Sequence, residues 1–137
     1  MKIVGFNFTK ISAEKLSDKP EKLEIKTNID IKEIAPIKSN IFKSKEELLG
    51  IKFAYTILYE KDYAKIDFEG AVILSVDSKQ SKSITKDWKN KDLKDDFKYP
   101  LFNIILTKSN VKALQLEEEF NLPLHIPLPT LGPGKKQ

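Results

Sequence analysis

Residues KYPLFNIILTKSNVKALQLEEEF (98–120) run directly into NLPLHIPLPTL (121–131). The first block has the length and apolar content of a long helix, with Pro100 tolerated in its first turn. Pro123, Pro127 and Pro129 then forbid a helix and hold the following chain extended. Leu122, Leu124, Ile126, Leu128 and Leu131 supply apolar side chains along it. An exposed apolar strap is an aggregation hazard, so this one is expected to dock where apolar cover is wanted. A helix that ends in a docked strap builds a groove.

Upstream of the helix the period changes from helical to alternating. Residues 2–12 carry Ile3, Phe6, Phe8 and Ile11, a strand with an irregularity near Gly5. The SDKP segment (17–20) breaks it. Leu23, Ile25, Thr27, Ile29 and Ile31 then alternate with charged or polar residues, the pattern of a half-buried strand. Pro36 is expected to end or bend that strand, residues 34–44 to form a crossing segment, and KSKEELLG (43–50) to form a short turn. Ile51, Phe53, Tyr55, Ile57 and Tyr59 share one face of a strong strand. Lys61-Asp62 is the expected hairpin turn, and the return strand, 64–76, carries Ile66, Phe68, Val72, Leu74 and Val76. Gly70 interrupts it and marks a bulge or a close backbone approach. Residues 79–89 form a polar helix anchored by Ile84 and Trp88, and a lysine- and aspartate-rich link leads to Phe97. The predicted fold is α+β, a four-stranded antiparallel sheet with a short helix, a long C-terminal helix and an extended proline-rich strap.

At 137 residues, with 40 % apolar and 32 % charged residues, the chain has the composition of a single globular domain. Its 24 basic residues are all lysine. Arginine is the preferred reader of phosphate and base edges, so its absence argues against nucleic acid as a partner. The net charge is +4, with Lys135 and Lys136 contributing two units at the C-terminus. Without cysteine there is no disulfide, thiolate chemistry or Cys-based zinc site. MKIVGFNFTK lacks the apolar stretch of a signal peptide and no run reaches membrane-spanning length, so a cytoplasmic location without membrane insertion is expected.

Little in the chain suggests catalysis. His125, the sole histidine, has no nearby residues at metal-ligand spacing and is expected on the solvent side of the strap. The five glycines form no phosphate cradle. Asp95-Asp96 and Glu117-Glu118-Glu119 are expected to be solvated helix ends or faces, and neither an enzyme nor a cofactor is expected. Trp88, beside Lys86 and Lys89, is better placed as a core anchor than as a base-stacking platform. What stands out is the amount of apolar surface. The strands, the long helix and the strap all present apolar faces, more than one small domain readily absorbs, which points to an oligomer interface, to open apolar grooves, or to both.

YPLFNIILTKSNVKALQLEEEFNLPLHIPLP resembles the last helix and tail of SecB-type export chaperones. FNFTKISAEK is similar to that family's first strand, and GIKFAYTILYEKDYAKIDFEGAVILSV to its central hairpin. The pattern is especially similar to the archaeal SecB-like branch, through the short helix with Trp88 and the LPLP ending. The resemblance implies a homotetramer, a dimer of dimers, that holds unfolded or non-native polypeptides without ATP. By position it implies a client surface of Ile29 and Ile31 in the second strand and Ile34 and Ile37 in the crossing segment. In the helix and strap it implies Val111, Leu114, Phe120, Leu122, Leu124 and Ile126.

Two departures from the bacterial family stand out. The chain is basic, and its tail GPGKKQ is short and carries lysines, which argues against docking to a SecA-type motor. A chaperone dedicated to a toxin–antitoxin pair is another role that the resemblance allows. A small apolar-ligand carrier would need an enclosed cavity in place of a long open groove.

Overall fold

The computed structural model describes residues 1–17, 24–37 and 46–133. Four strands, β1 (Lys2–Lys15), β2 (Ile25–Ile37), β3 (Glu46–Tyr59) and β4 (Ala64–Asp77), precede helices α1 (Ser78–Lys89) and α2 (Asp95–Glu119). The strands form one antiparallel sheet in the order β1-β4-β3-β2. β3 and β4 are therefore central, and β1 and β2 are the edges.

Alternation along the central pair explains the core. Leu49, Ile51, Phe53, Tyr55, Ile57 and Tyr59 of β3 point to one face with Ile66, Phe68, Val72 and Leu74 of β4, all nearly inaccessible. That face carries two apolar clusters. One joins Leu49, Ile51, Phe53, Val72 and Leu74 to Ile84 of α1 and to Phe97, Leu101 and Ile105 of α2. The other joins Tyr55, Ile57, Tyr59, Ile66 and Phe68 to Ala113 and Leu122. The buried residues of α2 recur every four positions: Phe97, Leu101, Ile105, Ser109, Ala113 and Glu117. A single row is thus enough to seat the helix on the sheet. Most of the apolar surface that the sequence seemed to have in excess is ordinary core.

Several local expectations hold. The hairpin between β3 and β4 turns at Lys61 and Asp62, both with positive φ. β1 is bulged between Ile3 and Gly5 and again between Phe8 and Lys10, opposite Gly70. A Cβ on Gly70 would lie 2.5 Å from the Asn7 carbonyl oxygen, so the glycine marks a close backbone approach. α1 starts with a capping box between Asp77 and Gln80.

Other expectations are corrected. Residues 34–37 do not open a crossing segment, because β2 runs on through Pro36 to Ile37. An edge strand loses little from a missing N–H, and the bend falls at the bulge between Ile31 and Glu33. The rest of that segment, 38–44, lies outside the described residues, as do 18–20 of SDKP and the tail from 134. Residues 46–50 form no turn. They are the first part of β3, paired with Ile73–Asp77 of β4, and the Ser75 hydroxyl donates to Glu46 at 2.7 Å. α2 begins at Asp95, three residues before the expected start, which moves Pro100 into its second turn. Asp95 and Asp96 lie in its first turn, where acidic side chains favour the helix dipole.

Candidate functional site

β2 is a sheet edge, and its outer side faces a groove. The Glu60 N–H donates to the Glu24 carbonyl at 2.8 Å, which makes these two residues a hydrogen-bonded pair across β2 and β3. Backbone groups alternate in direction along a strand. In the same register Lys26, Asn28 and Asp30 turn their N–H and C=O toward β3, whereas Ile25, Thr27 and Ile29 turn theirs outward. Among the described residues no strand pairs with this outer edge.

The groove has a volume of about 620 Å³. Ile29, Asp30 and Ile31 form one wall, and Trp88, Lys89, Lys91, Asp92 and Leu93 of the α1 end and the α1–α2 link form the other. Lys98 and Phe102 of α2 close the bottom, with the Lys98 ammonium 5.7 Å from the Phe102 ring centroid. Trp88, Leu93 and Phe102 are half-buried and pack against the first core cluster. Lys89, Lys91 and Asp92 stand exposed at the mouth. The result is an apolar trough with a charged rim beside a row of outward backbone donors and acceptors.

The residues expected to form a client surface separate into several places. Ile29 and Ile31 line the groove. Ile34, 4 % exposed, belongs to the first core cluster with Ile84 of α1. Ile37 pairs with Leu48 on the opposite sheet face, its side chain lying against Gly50. Val111 is exposed on α2, and Leu114 is half-buried there. Phe120 caps the end of α2 and packs on the second cluster with Leu122, which is 6 % exposed. Leu124 is 38 % exposed and Ile126 is half-buried. Sequence reading missed Leu93 and Phe102 as groove residues, and it gave Trp88 only its core role. The tryptophan next to a lysine- and aspartate-rich link was the available signal.

The strap docks through a buried polar cluster, and two expectations are overturned there. His125 is not on the solvent side and Glu117 is not on a solvated helix face: their side chains are 1 % and 0 % exposed. His125 Nδ1 lies 2.8 Å from Glu117 Oε1, and Nε2 lies 2.8 Å from Asn110 Oδ1. Asn110 Oδ1 also accepts from the Tyr55 hydroxyl at 3.0 Å. The His125 backbone N–H donates to Glu117 Oε2 at 3.1 Å. The Tyr59 hydroxyl contacts Glu117 Oε2 and also lies 2.7 Å from the Pro123 carbonyl oxygen. Each polar group removed from water thus finds a partner inside the cluster. Burial first, and then the Glu117 carboxyl, pushes the Tyr55 hydroxyl up to about 12. Burial and the contact with Glu117 push Tyr59 up as well.

Among the described residues no group of three or more His, Asp or Glu side chains could hold a metal ion, and no helix is long and apolar enough to cross a membrane.

No protein-family model matches this sequence, and no curated protein matches it. The fold is similar to that of the SecB-like chaperone Rv1957 of Mycobacterium tuberculosis, solved in complex with a ChAD peptide from the Rv1956 HigA1 antitoxin. The TM-score is 0.50 at 14 % identity, over 98 % of this chain and 92 % of the other. This likeness lends no support to the archaeal branch in particular. Sheet, short helix and long C-terminal helix together are the SecB-like fold.

Proposed function

We propose that the protein is a chaperone that binds extended segments of non-native polypeptides in the groove beside β2, without ATP. The observation that carries this reading is the coincidence of two recognition elements. Ile25, Thr27 and Ile29 turn backbone groups outward along the β2 edge, and this row ends at Ile29, which with Ile31, Trp88, Leu93 and Phe102 lines an apolar trough. Main-chain pairing is indifferent to sequence, and an apolar trough accepts many side chains, so the combination favours breadth. Lysines at the mouth favour acidic or polar flanks on the bound chain. The groove is open along its rim, which supports a chain-binding role over a carrier for a small enclosed ligand.

Assembly belongs to the same proposal. Met1, Ile3, Val4, Ile11 and Leu16 are exposed apolar residues on or next to β1, the other sheet edge. Such an edge calls for cover, and a second copy would supply it in a homotetramer built as a dimer of dimers. Service in protein export, which the resemblance to SecB-type chaperones implies, and a cytoplasmic location, expected from the sequence, belong to the same proposal. The antitoxin peptide bound by the structural neighbour favours a second reading, a chaperone dedicated to one client.

Light scattering together with an aggregation assay on several unrelated unfolded proteins tests the proposal. Suppression of several clients without nucleotide supports a generalist, and suppression of one supports the dedicated reading. A protein that slows the aggregation of none refutes both.

A further inference from the structure

Charge is not balanced inside the groove. Its lining includes two carboxylates, Asp30 and Asp92, and three lysines, Lys89, Lys91 and Lys98. Both carboxylates are already matched by lysines outside the lining, Asp30 by Lys32 at 2.9 Å and Asp92 by Lys94. Among the described residues no ion pair involves Lys89, Lys91 or Lys98. Three positive charges therefore stand beside Trp88, Leu93 and Phe102 with no carboxylate of the chain to answer them. We propose that the groove selects polypeptide segments in which acidic residues are interspersed among apolar ones, and discriminates against basic segments. This specificity rests on the reading of the groove as a chain-binding site.

The lysines lie at two depths. Lys89 and Lys91 are exposed at the mouth. The turn that carries them is held, because the Lys91 N–H donates to the Trp88 carbonyl at 3.1 Å and the Asp92 N–H to the Asp87 carbonyl at 2.8 Å. Their stems thus start from set positions beside Trp88, and only the side chains need to order on binding. Lys98 lies deeper, half-buried at the bottom, with its ammonium 5.7 Å from the Phe102 ring centroid. A ring face attracts the charge but leaves the ammonium's N–H donors for a stronger acceptor. A client carboxylate that reaches the bottom would accept from Lys98 while its apolar neighbours cover Phe102 and Leu93. The groove therefore has a place for an acidic side chain within an apolar segment, in addition to acidic flanks at the mouth. A basic side chain in either place would face like charge.

Lysines beside a tryptophan also suit single-stranded nucleic acid. Three observations favour a polypeptide. Trp88 is half-buried and packs on the first core cluster, so little of its ring is left for stacking. Ile29, Ile31 and Leu93 offer apolar surface, which a sugar-phosphate chain does not use. None of the 24 basic residues is arginine.

The test uses three fluorescently labelled peptides of one extended apolar sequence, with Asp, Asn or Lys at the same two positions. Their affinities for the full chain are measured by anisotropy at about 0.1 M and about 1 M salt, between which the Debye length falls from about 10 Å to about 3 Å. At the lower salt the Asp peptide should bind more tightly than the Asn peptide and the Lys peptide more weakly, by up to about fivefold for each charge. The differences should shrink at the higher salt. Lys89→Glu with Lys91→Glu, at exposed positions that leave the core untouched, should remove or reverse the order. Lys79→Glu with Lys82→Glu makes the same change of net charge at exposed positions of α1 outside the lining, and should keep it. Equal affinity for the three peptides overturns the proposal and leaves the chain-binding reading standing. An order lost equally in both double variants traces the preference to net charge and also overturns it. If none of the three peptides binds, the chain-binding reading falls with the proposal. An oligothymidylate that displaces the Asp peptide at equal concentration overturns the choice of polypeptide over nucleic acid.

Discussion

Leu122 and Leu124 are two residues apart on the strap and should respond very differently to truncation. Leu122 is 6 % exposed and sits in the second core cluster with Tyr59, Ala113 and Phe120. Its N–H also donates to the Glu117 carbonyl at 2.8 Å, so the backbone there is held and collapse around a cavity is limited. Leu122→Ala should therefore cost about 3 kcal/mol, within the usual range for a buried leucine. At about 2.1 cal/mol/K per residue, a chain of 137 residues has an unfolding entropy of about 0.29 kcal/mol/K. The expected fall in melting temperature is then about 10 °C. Leu124 is 38 % exposed, and its truncation should cost about 1 kcal/mol or a few degrees. Thermal unfolding followed by circular dichroism, with urea denaturation as a second measure, decides. A Leu122→Ala protein that melts within about 2 °C of the parent would show that the strap is not docked as described. For the same reason a change of client binding on Leu122 substitution has to be read against stability, whereas Leu124 and Ile126 can be tested for binding more directly.

Two further substitutions probe the frame around the site. Gly70→Ala places a Cβ 2.5 Å from the Asn7 carbonyl oxygen and 2.8 Å from the Phe53 ring, so it should destabilise by about 1–3 kcal/mol, seen as a lower urea midpoint at unchanged slope. Ser109→Ala removes a buried hydroxyl that has no hydrogen-bond partner among the described residues, so stability should hold or rise by up to about 1 kcal/mol, read as an unchanged or higher melting temperature.

The fold was legible where one face of an element is buried by simple periodicity. β3 and β4 carry strict alternation, and Lys61 and Asp62, the middle of the four-residue turn between them, read as a turn without a glycine. The start of β3 was not legible. Glu46 and Glu47 look like turn residues, and only pairing with β4 and the hydroxyl of Ser75 makes them strand. Pro36 misled in a similar way: it ends central strands, and whether a strand is central or an edge depends on sheet order, which local sequence does not carry. His125 and Glu117 were assigned to solvent because each alone is polar. Eight positions apart, on a strap and a helix, they satisfy one another only after the strap folds back. The groove draws on three separated segments, and Leu93 and Phe102 carry no local mark that would single them out.

The central claim is that an extended client pairs with the outer edge of β2. Amide exchange of the protein saturated with a permanently unfolded client tests it residue by residue. The account predicts new protection at Ile25, Thr27 and Ile29, whose N–H groups face outward, with little change at Lys26, Asn28 and Asp30, which already face β3. Client-induced protection confined to β1, or absent from β2 while the client is bound, would contradict it.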